Sequence, residues 1–199
     1  MTTCSNGEGA AAPGVATANE VEPDMQPSPG FRRRVTDVPV ADDDTLPLSR
    51  WLQPKRILLG VEVDDMAGLL ELAAGEIGRM HGLATGPVLR ALARREQVGS
   101  TALGNGFAIP HARIAGIDEP ITLLMRPSKA IDFRAPDDSA VDLFLFIMVP
   151  LGDHRAHLHL LAAVAQLFSD RQIRSTLDAA ASSEAMAQAW AAGIARIAR

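Results

Sequence analysis

Between Val141 and Val149 the chain runs VDLFLFIMV, apolar on both alternating faces except at Asp142. Side chains along a strand point alternately to opposite faces, so this segment is expected to be a central strand with packing on both sides. The most apolar run, Val141 to Leu151, is far shorter than the roughly 20 residues of a membrane helix, so no membrane insertion is expected.

Other elements arrange themselves around that strand. Ile57 to Val63 is mostly apolar and β-branched, and Asp64 or Asp65 after it can cap a helix. Leu69, Leu70, Ala73, Ile77 and Met80 then share one helical face, with Gly82 as the stop signal. Thr85 and Pro87 start a second helix, which Val88, Leu89, Ala91 and Leu92 carry to Arg94, Arg95 and Glu96 before Gly99 breaks the pattern. From Gly104 to His111 the sequence GNGFAIPH reads as a glycine-rich turn, a very short strand and a proline directly before a histidine. Ile121 to Met125 is a further strand. After Pro150 the period becomes helical, with Leu160, Val164, Leu167 and Phe168 on one face. Asp170 caps a short helix through Leu177, and Ser182 or Ser183 caps a last one reaching Ile197. The order predicts an α/β (α+β-like) sandwich, a central mixed β-sheet covered by helices on both faces.

The first 45 residues differ in kind. They hold eight acidic residues against Arg32, Arg33 and Arg34, so the whole net charge of −5 belongs to them and the rest is balanced. Rich in Gly, Pro, Ser, Thr and Ala and lacking any sustained period, residues 1–45 are expected to be a disordered acidic tail, and residues 46–199 the folded domain. The arginine triplet beside so many acids reads as a solvated linker, and no nucleic-acid partner is expected. A single cysteine, Cys4, excludes a disulfide framework, and MTTCSNGEGAAAPG lacks the pattern of a secretory signal, so the expected location is cytoplasmic.

Histidines carry most of the candidate chemistry. His81 ends a predicted helix beside Gly82, where a capping or surface role suits it. His111 sits at a strand exit on rigid backbone, where it either displays a functional imidazole or bonds a nearby carbonyl. His154, His157 and His159 open a predicted helix; His154 and His157 share a face, while a zinc site lacks converging ligands. A helix N-terminus with its unpaired N–H groups suggests phosphate instead. Arg95, followed by Gly99, Ser100 and Thr101, could bring a guanidinium fork, hydroxyls and amides to an anion, or be a solvated helix end. No phosphate-binding P-loop, serine-nucleophile elbow or dinucleotide fingerprint is present.

REQVGSTALGNGFAIPHAR, residues 95–113, with the later VPLGDHRAHLHLL, closely resembles the signature of enzyme IIA proteins of the bacterial phosphotransferase system. The similarity is to the fructose and mannitol family and, within it, the nitrogen-regulatory branch, and it runs from about Leu46 to Ala198. It implies that His111 accepts a phosphoryl group from a histidine-containing phosphocarrier protein, that Arg95 and His157 complete the catalytic group, and that neither metal nor cofactor is needed. Ser100 and Thr101 are expected to stabilise the phosphate. Phe107 departs from the small aliphatic residue usual in the family. An imidazole of ordinary pKa about 6.5 is a usable nucleophile near neutrality.

A phosphocarrier and regulator is thus expected, whose phosphorylation changes its binding to targets such as potassium-transport or sensor-kinase components. Two alternatives stand beside it: a sugar-specific IIA component passing phosphate to a IIB domain, and an interaction domain that never carries phosphate.

Overall fold

The apolar stretch is the middle of the sheet. In the computed structural model, which describes residues 52–152 and 154–197 and of 154–159 and 197 the backbone alone, six strands and five α-helices follow a short 3-10 turn at Pro54–Arg56. They are β1 (Ile57–Val61), α1 (Met66–His81), α2 (Thr85–Val98), β2 (Ala102–Gly104), β3 (Phe107–Ala108), β4 (His111–Ile114), β5 (Ile121–Pro127) and β6 (Leu143–Pro150). The helices α3 (His154–Ser169), α4 (Arg171–Asp178) and α5 (Ser183–Ile197) complete the domain. The tail expected at residues 1–45 lies outside the described residues.

Strand order is β1-β5-β6-β3-β2, with β4 also on β6. The sheet is mixed, since β6 runs antiparallel to β5 but parallel to β3 and β4. Its side chains divide as the alternation requires. Phe144, Phe146 and Met148 join the cluster built with α1 and α2, whereas Leu143, Leu145, Ile147 and Val149 join the one built with α3, α4 and α5. The expected sandwich, helices on both faces of a mixed sheet, is the observed fold.

Helix boundaries follow the local chemistry. Asp65 caps α1 by accepting from Gly68 N–H at 2.8 Å, and Gly82 ends that helix at φ 67°, a left-handed value suited to glycine. Asp170 caps α4 through the amides of Gln172 and Ile173. α2 begins at Thr85 as expected, with Ala84 at the cap position and no side-chain bond there.

β3 and β4 are one strand with a proline in it. Phe107 pairs with Leu143, Ala108 with Phe144, His111 with Ile147 and Ala112 with Met148, a constant offset showing that no residue is inserted. Pro110 offers no N–H, but its carbonyl accepts from Ile147 N–H at 2.9 Å. Before β3, Asn105 and Gly106 have φ of 53° and 74°, the positive values of mirror-image hairpin turns, which bring β2 alongside. Asp137 accepts from Asn105 N–H at 2.7 Å, and Arg174, ion-paired to Asp142 at 2.5 Å, donates to Gly106 O at 3.2 Å.

Phe107 is 2% exposed and stacks on Phe168 of α3, which in turn contacts Trp190 of α5. The larger side chain at this position joins β3 to the helical layer. Phe107→Ala is expected to cost about 3–5 kcal/mol in a urea titration, against about 1 kcal/mol for loss of the cap in Asp65→Ala. Equal small losses in both would contradict the packing described.

Candidate functional site

The hairpin and the proline fix where His111 points. Its Nδ1 lies 2.7 Å from the carbonyl oxygen of Ile109. A carbonyl only accepts, so Nδ1 carries the proton and Nε2 keeps its lone pair. The carbonyl reading of this histidine is met at Nδ1. The Nε–H of Arg95 approaches that second nitrogen at 3.1 Å.

Arg95 comes from the last turn of α2, where its Nη1 donates to Gly99 O at 2.9 Å. That bond places a rigid guanidinium fork beside the imidazole while satisfying a carbonyl at the helix end. The two residues line an open cleft of about 640 Å³ together with Arg94, Arg113, Ala112 and Leu151. Three arginines and no acid among these groups make it an attractive site for an anion. Leu151 is 56% exposed at its rim.

Ser100 and Thr101 do not line the cleft. The Ser100 hydroxyl donates to Phe133 O at 2.7 Å and accepts from Ala102 N–H at 3.1 Å. Thr101 gives its hydroxyl to Glu96 Oε2 at 2.6 Å and its N–H to Glu96 Oε1 at 3.0 Å, while its carbonyl accepts from Ile109 N–H at 3.0 Å. Both hydroxyls therefore serve the turn between α2 and β2. Glu96, 2% exposed, is the residue whose importance the sequence did not disclose. It reads there as part of a charged helix end, and only its place directly after Arg95 in the family-like segment marks it.

His157 belongs to α3, two turns or less from that helix's start at His154, and its side chain lies outside the described residues. The same holds for His154 and His159. Among the described residues no group of three His, Cys, Asp or Glu side chains could hold a metal ion, and no helix is long and apolar enough to cross a membrane.

His81 occupies a different pocket, lined by Arg56 and the loop Gly116–Ile121. Its Nε2 is buried without a hydrogen-bond partner, so the carbonyl contact expected at the helix end is not made by that atom.

Comparison with known proteins places the arrangement in context. The model of the family described as "Phosphoenolpyruvate-dependent sugar phosphotransferase system, EIIA 2" matches residues 50–191. A nitrogen regulatory protein of Pseudomonas aeruginosa is 33% identical over 142 residues, covering 71% of this chain and 92% of the relative. Its Escherichia coli K12 counterpart is 32% identical over 148 residues, covering 74% and 91%. The crystal structure of nitrogen regulatory protein IIA-Ntr from Neisseria meningitidis superposes with a TM-score of 0.68 at 33% identity, covering 72% of this chain and 98% of that one.

Burial first, then the charges of Arg56 and Lys55, hold the His81 pKa below its ordinary 6.5. The unfolded chain therefore binds a proton more readily than the fold, and stability falls as pH drops through and below about 6.5. Urea midpoints measured between pH 7.5 and 5 are expected to decline less steeply in His81→Gln than in the parent. An identical slope in both would remove His81 as the cause.

Proposed function

The chain belongs to the EIIA 2 family of the phosphoenolpyruvate-dependent sugar phosphotransferase system, and from that membership we propose that His111 is its phosphoryl acceptor, through Nε2. The supporting observation is the imidazole itself: Nδ1–H is held by Ile109 O, so the nucleophilic lone pair lies on the nitrogen beside Arg95, in a cleft ringed by arginines.

A histidine-containing phosphocarrier protein presents its phosphoryl group in line with Nε2. A new P–N bond forms there as the donor's P–N bond breaks and its electron pair returns to the donor nitrogen. Arg95 moves its N–H donors from Nε2 to the equatorial oxygens, where charge spreads in the transition state. The proton on Nδ1 stays in place, and the Ile109 carbonyl stabilises the positive charge that develops on the ring. His157, from the start of α3, supplies a further donor to the phosphoryl group. Ser100 and Thr101 act on the phosphate indirectly, by holding the turn at the end of α2 that carries Arg95.

The names of the relatives favour a regulatory role of the nitrogen type. A phosphoryl group brings about −1.5 to −2 of charge, the magnitude known for phosphorylated hydroxyls, into a cleft of arginines. Its arrival changes which targets bind, potassium-transport or sensor-kinase components among them. The family description equally admits a sugar-specific role, which radiolabel transfer onward to a IIB domain would reveal.

Incubated with phosphoenolpyruvate, the general phosphotransferase and the carrier, the protein is expected to gain one acid-labile phosphate. His111→Ala is expected to gain none, and Arg95→Ala to react about 100-fold more slowly. Undiminished labelling of His111→Ala would refute the assignment.

A further inference from the structure

Glu96 has no part in the chemistry described so far, yet it begins an unbroken chain of hydrogen bonds that ends on the reacting ring. Its carboxylate is almost fully buried, and both oxygens bond to Thr101, one to the amide and one to the hydroxyl. The Thr101 carbonyl receives Ile109 N–H, and the Ile109 carbonyl receives His111 Nδ1–H. Arg95, the next residue to Glu96 on α2, contacts the opposite nitrogen of the same imidazole. One helical turn thus grips the histidine from two sides: directly at Nε2, and through Thr101 and Ile109 at Nδ1.

Stability alone gives little reason for a carboxylate at this place. Desolvating it is costly, neither oxygen meets a cation among the described residues, and an apolar residue of similar volume is often at least as stable in such a site. What the carboxylate does provide is two acceptors at fixed separation. They hold Thr101 by both of its donors and leave its carbonyl aimed at Ile109. The link passes through different peptide units at each step, so it transmits position and not charge.

The geometry points to Glu96 as a positioning residue for phosphoryl transfer, which, through Thr101 and Ile109, fixes the protonated nitrogen and the ring direction of His111. The effect on transfer rests on the phosphocarrier reading; the effect on the ring does not.

Glu96→Gln tests position against charge, because the amide oxygen can accept from Thr101 N–H while its NH₂ donates to the Thr101 hydroxyl. Nitrogen NMR of the His111 imidazole, with transfer kinetics from the carrier, is the measurement. In the parent and in Glu96→Gln the Nδ1–H form is expected to predominate, with transfer rates within about twofold. Glu96→Ala is expected to show both tautomers and a maximal rate about 100-fold lower with the carrier KM unchanged, as for a reacting group displaced by about 1 Å. Thr101→Val, which keeps shape and N–H, covers the case in which Glu96→Ala does not fold. It is expected to lie between them, about tenfold slow, as for loss of one buried hydrogen bond. Parent-like tautomer and rate in folded Glu96→Ala, or in Thr101→Val where that variant alone folds, would overturn the proposal. So would a loss in Glu96→Gln equal to that in Glu96→Ala, which would make the charge the cause. Should the parent take up no phosphate while Glu96→Ala still scrambles the tautomer, the phosphocarrier reading fails and the positioning role stands.

Discussion

A backbone carbonyl cannot give up a proton, and the site depends on that asymmetry. Because Ile109 O stands 2.7 Å from His111 Nδ1, the neutral imidazole has one available tautomer, and its lone pair lies on the nitrogen facing Arg95. The residue that follows that carbonyl is Pro110. With no N–H of its own, the proline leaves the ladder to β6 carried by its carbonyl to Ile147, and the chain turns His111 out without losing register.

That arrangement needs an immobile partner strand, and β6 is one. Buried on both faces by the two helical layers, it pairs with β3 and β4 in a single register, so a shift at the site would move the core on either side. The glycine turn before β3, read from sequence only as a turn, is a junction where Asp137, Asp142 and Arg174 converge. A methyl group on Gly106 would come within 2.9 Å of Asp142 Oδ1 and push that carboxylate aside, in addition to the strain of the positive φ.

Much of this was legible in the residues. The double-sided apolar run of β6, the Asp65 and Gly82 signals around α1 and the Asp170 cap of α4 each reflect a local rule that tertiary structure did not override. Thr85 and Pro87 likewise marked the start of α2, which begins at Thr85. The structure brings His111 and Arg95 into contact in one cleft, but the sequence could not show which of their atoms meet. Whether Nδ1 or Nε2 is available depends on Ile109, two residues away on the proline-interrupted strand. The hydroxyls of Ser100 and Thr101 look like phosphate ligands in one dimension because glycine and hydroxyl residues serve both phosphate loops and tight turns. Their commitments to Phe133, 33 residues on, and to buried Glu96 are long-range facts that no local spacing encodes.

The central claim is that the fold selects Nε2 of His111 for the phosphoryl group, and the position of the P–N bond tests it most directly. In protein labelled with nitrogen-15 and phosphorylated through the carrier, phosphorus–nitrogen coupling is expected at Nε2 of His111, with Nδ1 still protonated. Coupling at Nδ1, or phosphate on any other residue, would contradict the account.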